Sequence, residues 1–339
     1  MPRLKRASDS TPGIRRKGRG RGFSYHEDDG TLIQDSETIE RISILAIPPA
    51  WKDVWICPFP NGHIQATGID AAGRKQYRYH DFWRSSRDRE KHDEMMEFAK
   101  SLPKMREQVN SDLARRGYPR ERVLACSVKL LDLGFFRVGS EQYTAENETY
   151  GLATLRRKHL KFKDGHAVFE YKAKGAKDHR QDLADPEVLK VLKALHKREG
   201  GGIELLAYKV GGKWRDVKSS EINEYLKEVT GGDFSAKDFR TWNATVLAAA
   251  GLANREEDAE KSKTARRRAA NDVVKDVARY LDNTPAVCRA SYIDPRVFDR
   301  FESGVTIRAG LQRVLAGTDP NEFVERERIE AAVLRMLSD

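Results

Sequence analysis

The hydrophobic period of this chain changes near residue 80, and that change restricts its fold more than any other feature. Upstream, apolar residues come in short runs at the two-residue spacing of strands. Val54–Cys57 and His63–Thr67 flank Pro58-Phe59-Pro60-Asn61-Gly62, a hairpin-like connection with an Asn-Gly signal. Arg74–Tyr79 reads as a further strand, with Tyr77 and Tyr79 on one face and Arg74, Gln76 and Arg78 on the other. Downstream, Phe98, Leu102, Met105, Val109 and Leu113 recur at helical spacing, with Pro103 expected to divide the stretch into two helices. Helical patterns then continue, interrupted by hairpin signals over residues 159–183 that set Lys174 on a tight turn. A domain boundary is therefore expected near residues 80–90. A chain of 339 residues is long enough for both domains.

The net charge of +10 suits a polyanionic partner. It is concentrated at the start, where residues 1–22 carry eight Lys or Arg against one Asp. That segment is Gly-rich and poor in apolar residues, so it reads as a disordered basic tail. Its role is either to track DNA phosphates or to keep the chain soluble. The three cysteines, Cys57, Cys126 and Cys288, lie far apart with no CxxC pair. This argues against a disulfide framework or zinc site and fits a reducing cytoplasm. No apolar run approaches membrane-spanning length, and no signal-peptide core follows the basic start.

Two local signals place the chemistry. Ser235-Ala236-Lys237-Asp238 is a capping-box pattern that opens a long helix with Arg240 in its first turns. Thr284-Pro285 is an N-cap followed by proline at the first helical position, starting a short helix with Tyr292 at or just past its far end. A phenol, with an ordinary pKa of about 10, is a poor nucleophile at neutral pH. Cations beside it and a phosphorus held in line make it useful. Attack on a phosphodiester builds negative charge on the non-bridging oxygens, which planar guanidiniums stabilise. Arg137 in FFRVG and Arg240 in KDFRTW are the candidates. The leaving alkoxide needs a proton, and Lys174 at a hairpin tip suits that role. Asn283 is a hydrogen-bond donor for a phosphate oxygen. The RKQYRY strand interleaves aromatic and basic residues, which suits base stacking and phosphate contact. Arg74, Lys75, Gln76, Tyr77 and Tyr79 are its candidate DNA contacts; the alternative is an amphipathic strand with its tyrosines packed inward. Walker A, HExxH and GxSxG motifs and a carboxylate cluster for paired magnesium are absent. Phosphoryl chemistry here would rest on side-chain cations.

The chain resembles the type IB DNA topoisomerases, in particular the small poxvirus-type enzymes of bacteria. The resemblance covers roughly residues 23–315 and rests on separated motifs in order: LAIPPAWKDVWICP, HIQATGIDAAGRKQYRYHDFWR, FFRVG, YKAKGAKDH, KDFRTWNAT and NTPAVCRASYI. It implies an α+β chain with a small β-rich N-terminal DNA-binding domain at 23–85. A larger, mainly helical catalytic domain at 86–339 would carry a short three-stranded sheet, and the two would clamp duplex DNA. It implies nicking of one strand, a 3′-phosphotyrosyl intermediate, strand rotation and resealing, with neither ATP nor a metal ion as cofactor. Carried over by motif, Tyr292 is the nucleophile, Arg137 and Arg240 the transition-state arginines, and Lys174 the general acid. Asn283 stands where the family often has histidine, and offers only a neutral hydrogen bond. Lys237 matches a lysine near the scissile phosphate, and Gln76, Tyr77 and Tyr79 match groove contacts. A cytoplasmic, nucleoid-associated monomer acting on double-stranded DNA is the expectation.

Two other readings fit some of these residues. Tyrosine recombinases use a similar Arg-Lys-Arg-Tyr set but usually carry HxxR at the second arginine, where this chain has Lys237 and Arg240. A non-enzymatic architectural DNA binder would need no phenol at Tyr292.

Overall fold

The computed structural model describes residues 3–20, 22–134, 136–257, 262–315 and 322–338, with the side chains of 88, 89, 312–315 and 322–325 left aside. The chain forms two compact units, residues 1–93 and 94–339. The division falls eight residues beyond the one expected from the sequence, inside a long helix.

The N-terminal unit is a five-stranded antiparallel sheet built from β1 (Ile14–Arg19), β2 (Gly22–His26), β3 (Lys52–Ile56), β4 (Ile64–Ile69) and β5 (Lys75–Tyr79), in the order β2-β1-β3-β4-β5. Helix α1 (Ser36–Ile44) starts at Asp35, whose carboxylate accepts from Thr38 N at 2.8 Å. It covers one face, packing Ile42 with Ile14, Val54, Ile56 and Ala66.

Residues 14–19 correct the expectation of a disordered tail, for they fill the sheet between β2 and β3. Their backbone polar groups are paired across the ladder, and Ile14 is buried in the core. The Arg16 guanidinium donates to the carbonyls of Ile47, Pro48, Pro49 and Trp51 and lies over the Phe23 ring. A basic residue that reads as solvated charge is here a clip for backbone oxygens. Just upstream, Trp55 Nε1 donates to Thr11 O at 3.0 Å.

Helix α2 (Asp81–Leu113) is continuous through Pro103, against the expected split. Proline removes one backbone hydrogen bond, but Phe98, Leu102, Met105, Val109 and Leu113 are all buried on one stripe and hold the helix together. The larger unit adds α3 (Arg120–Gly134), α4 (Glu141–Asn147), α5 (Pro186–His196), α6 (Ser219–Thr230) and α7 (Ala236–Ala253). It continues with α8 (Lys263–Tyr280), α9 (Pro285–Ser291), α10 (Arg296–Glu302), α11 (Arg308–Leu315) and α12 (Glu322–Ser338). One hydrophobic core runs from Met95 to Leu337. The expected three-stranded sheet is β6 (Leu160–Lys163), β7 (His166–Ala173) and β8 (Lys177–Leu183). A two-stranded ribbon, β9 (Ala207–Val210) with β10 (Lys213–Asp216), was not expected.

Helix α12 brings buried charge to the larger unit. Arg106 of α2 donates to Asp132 of α3 at 2.9 Å and to Glu330 of α12 at 2.7 Å. Arg326 of α12 donates to Asp132 at 2.8 Å and to the Asn243 side chain of α7 at 3.1 Å. Asn243 in turn donates to the Asp132 carbonyl at 3.2 Å. No described helix is long and apolar enough to cross a membrane.

Candidate active site

Arg137 follows α3 on a segment whose shape is set by close packing. Phe136 buries its ring against Phe169, with centroids 5.0 Å apart. Phe135 lies outside the described residues. Beyond Arg137, the chain presses Gly139 against Gly151, where a Cβ on Gly151 would fall 2.8 Å from the Arg137 carbonyl oxygen. Leu152 N donates to Arg137 O and Ala153 N to Val138 O, both at 2.8 Å. Gly151 was missed by sequence reasoning; nothing local distinguishes it from a turn glycine.

The second arginine comes from α7. Ser235 N and Oγ both donate to Asp238 Oδ2, at 2.7 and 3.0 Å, so the helix starts where the capping pattern places it. Arg240 is 5% exposed. Both arginines dock on the turn after α8. Leu281 O accepts from Arg240 Nη2 at 2.6 Å and from Arg137 Nη2 at 3.1 Å. Arg137 Nη2 also donates to Asp282 O at 3.1 Å and Asn283 Oδ1 at 3.2 Å. Guanidinium is donor-only, so Asn283 must present its oxygen here. Its Nδ2 is buried and has no partner among the described residues.

Thr284 caps α9 by accepting from Val287 N, and Pro285 is the first residue of the helix. Tyr292 is its C-cap, with N donating to Cys288 O at 3.0 Å. The Tyr292 ring is half-buried and lies 5.4 Å from the Arg240 guanidinium carbon. Burial, and next the Arg137 charge, push the Arg240 guanidinium below its ordinary value; Tyr292 and Asp282 oppose the shift.

Lys174 sits in the three-residue tip between β7 and β8, where Gly175 and Ala176 both take positive φ. Lys237 projects from the first turn of α7. Both lysines are exposed, and neither has a carboxylate partner among the described residues. A cleft of about 410 Å³ brings Arg137, Lys174, Lys237, Arg240 and Tyr292 together. Asn283 is not among its lining residues. The described residues hold no cluster of His, Cys, Asp or Glu able to bind a metal ion.

The N-terminal candidates divide between two faces of their sheet. Tyr77 and Tyr79 are 42% and 40% exposed with stacked rings 5.9 Å apart, so they are not packed inward. Lys75 pairs with Asp9 at 2.6 Å. Gln76 is on the opposite face from the tyrosines, half-buried and donating to Asp70 at 2.9 Å; Arg74 pairs with the same carboxylate at 2.8 Å. The register Arg15–Trp55–Thr67–Tyr77 puts β1 side chains on the tyrosine face, and Lys17 and Arg19 extend that row. Both are exposed and without a carboxylate partner among the described residues.

Comparison with known proteins decides the family. The catalytic core of eukaryotic DNA topoisomerase I matches residues 80–306, and the N-terminal domain of bacterial DNA topoisomerase IB matches residues 22–70. The DNA topoisomerase 1B of Acanthamoeba polyphaga mimivirus is 33% identical over 286 residues, covering 83% of this chain and 85% of that protein.

This chain belongs to the type IB DNA topoisomerases.

As a type IB family member it is an isomerase that acts on DNA. The DNA topoisomerase 1 of Mycosarcoma maydis is 28% identical over 203 residues, which are 55% of this chain and 19% of that protein. That of Schizosaccharomyces pombe is 29% identical over 151 residues, or 41% and 17% of the two chains. The catalytic-core match spans every residue that lines the cleft, from Arg137 to Tyr292.

Proposed function

We propose that this type IB topoisomerase relaxes supercoiled duplex DNA through a covalent bond to Tyr292, using neither ATP nor a metal ion. The phenolic oxygen attacks the scissile phosphorus, forming a 3′-phosphotyrosyl bond as the bond to the 5′ oxygen breaks. The phenol proton leaves to water, and the Lys174 ammonium gives its proton to the departing 5′ oxygen. Arg137 and Arg240 hold the non-bridging oxygens, and Asn283 Nδ2 adds a neutral donor. Lys237 approaches the scissile phosphate. The free strand rotates, and its 5′ hydroxyl then attacks the phosphotyrosine, reversing each proton transfer. Both units engage the duplex as a clamp, the N-terminal one through Lys75, Tyr77 and Tyr79. On this reading the chain acts as a monomer in the nucleoid.

The observation that carries the reading is the Tyr292 ring beside the Arg240 guanidinium, in a cleft shared with three further cations. Oriented donors of this kind are worth about 100- to 1,000-fold each in such sites. A suicide duplex that loses its 5′ fragment on cleavage should trap the wild-type chain on a denaturing gel. Tyr292→Phe should bind the duplex and trap none. Covalent capture surviving that substitution would end the proposal, as would relaxation that requires nucleotide or a divalent ion.

A further inference from the structure

We infer that His179, which has no part in the chemistry above, is a positioning residue that pins the Lys174 hairpin to the turn on which both arginines dock. The inference rests on the reading of Lys174 as the acid. His179 lies on β8, five residues beyond Lys174, and its side chain is 8% exposed. Its Nδ1 bonds the Asp282 carboxylate across the site. Burial alone would raise the Asp282 carboxyl, but the His179 hydrogen bond and the Arg137 and Arg240 charges bring it below its ordinary value. Asp282 is therefore ionised at neutral pH and can only accept, so the proton of the pair sits on His179 Nδ1.

The other ring nitrogen, Nε2, is buried with no partner among the described residues. The ring rests on Tyr171 and Phe136, with centroids 5.0 and 6.3 Å away. An apolar ring would fill this place without burying an unpaired nitrogen. The imidazole is thus accounted for by its bond to Asp282, not by packing.

Cutting the tie should move the hairpin and not the turn. The turn keeps three other anchors: Arg240 on Leu281 O, Arg137 on Asp282 O, and Asn283 N on Ala278 O. Among residues 177–180 of β8, His179 alone is not exposed. On the β8 arm near the tip, then, His179 is the inward anchor, while the β7 arm is held by the buried Tyr171 and Ala173 and by Tyr150 N on Lys172 O. A displaced tip takes the Lys174 ammonium away from the 5′ oxygen, and small misplacements of this kind cost up to about 100-fold.

The test is single-turnover covalent capture by the full chain on two suicide duplexes. One has an ordinary 5′ oxygen at the scissile link; the other has sulfur there, a leaving group that needs no proton donor. His179→Ala should slow capture about 10-fold or more on oxygen and under about 3-fold on sulfur. His179→Asn, whose amide nitrogen falls near the Nδ1 position, should recover most of the oxygen rate. His179→Gln, whose amide reaches the Nε2 position, should not. Melting curves show which variants fold, and if His179→Ala does not, the Asn and Gln pair carries the comparison. Equal losses on both duplexes, no loss at all, or Asn no better than Gln would each overturn the inference. Wild-type chain that fails to capture DNA would instead remove the reading beneath it.

Discussion

The backbones of Gly139 and Gly151 meet so closely that a Cβ on Gly151 would stand 2.4 Å from the Gly139 Cα. The contact closes the segment that carries Arg137, and both glycines also line the cleft. An alanine at 151 must push the Arg137 segment away, since backbone cannot yield as a flexible side chain does. Gly151→Ala should slow single-turnover cleavage about 100-fold. An unchanged rate in a variant that folds would mean that Arg137 is placed by its Leu281, Asp282 and Asn283 contacts alone.

The two kinds of basic residue on β1 should behave differently. Lys17 and Arg19 are exposed on the face that holds Tyr77, whereas Arg16 is spent on backbone carbonyls. If Lys17 and Arg19 each neutralise one phosphate, replacing both with alanine should flatten the log–log salt dependence of DNA binding by about 1.8, or about 0.9 per contact. Arg16→Ala should leave that slope alone and cost about 1–3 kcal/mol of stability. Binding titrations at several salt concentrations, with a melt of each variant, separate the two.

What was legible in the sequence was local chemistry. Ser235 with Asp238 and Thr284 with Pro285 each mark a helix start within a few residues, and both starts position a side chain of the cleft. What was hidden was pairing at a distance. Strand Ile14–Arg19 pairs along its length with the adjacent β2 and, through Ile14 and Arg15, with Ile56 and Trp55, and no pattern within the basic run reports that distant partner. Pro103 weakens a helix by a local rule, yet buried neighbours on both sides override it. Gly151 matters through Gly139, and His179 through Asp282, contacts made by folding alone.

The buried charges that fasten α12 should make the larger unit acid-sensitive. Burial would raise the Asp132 carboxyl, but Arg326 and Arg106 bring it below its ordinary value of 3.8. A depressed folded value stabilises the fold above the ordinary value, and that contribution drains as pH falls toward the folded one. Stability of the wild type should therefore drop below about pH 4. Asp132→Asn should lose about 3–5 kcal/mol at neutral pH, because Arg106 and Arg326 lose a charged partner. Below about pH 4 the gap between the two proteins should narrow. Denaturant melts across the acid range measure both effects, and a constant gap would mean that another group sets the acid limit.

Asn283 offers the finest test of the electrostatics around Tyr292. Its oxygen is occupied by Arg137 at 3.2 Å, while its Nδ2 is buried and has no partner among the described residues. A buried donor left unpaired costs stability, which a phosphate oxygen would relieve on binding. Asn283→Ala removes both functions and should slow cleavage about 100-fold or more, the usual loss for one donor to developing negative charge. Asn283→Asp keeps an acceptor for Arg137 but sets a carboxylate where the donor stood. It should be slower than the alanine variant, because it repels the phosphate as well as failing to bond it. A ranking with aspartate above alanine would show that this side chain serves to hold Arg137 and never meets the phosphate.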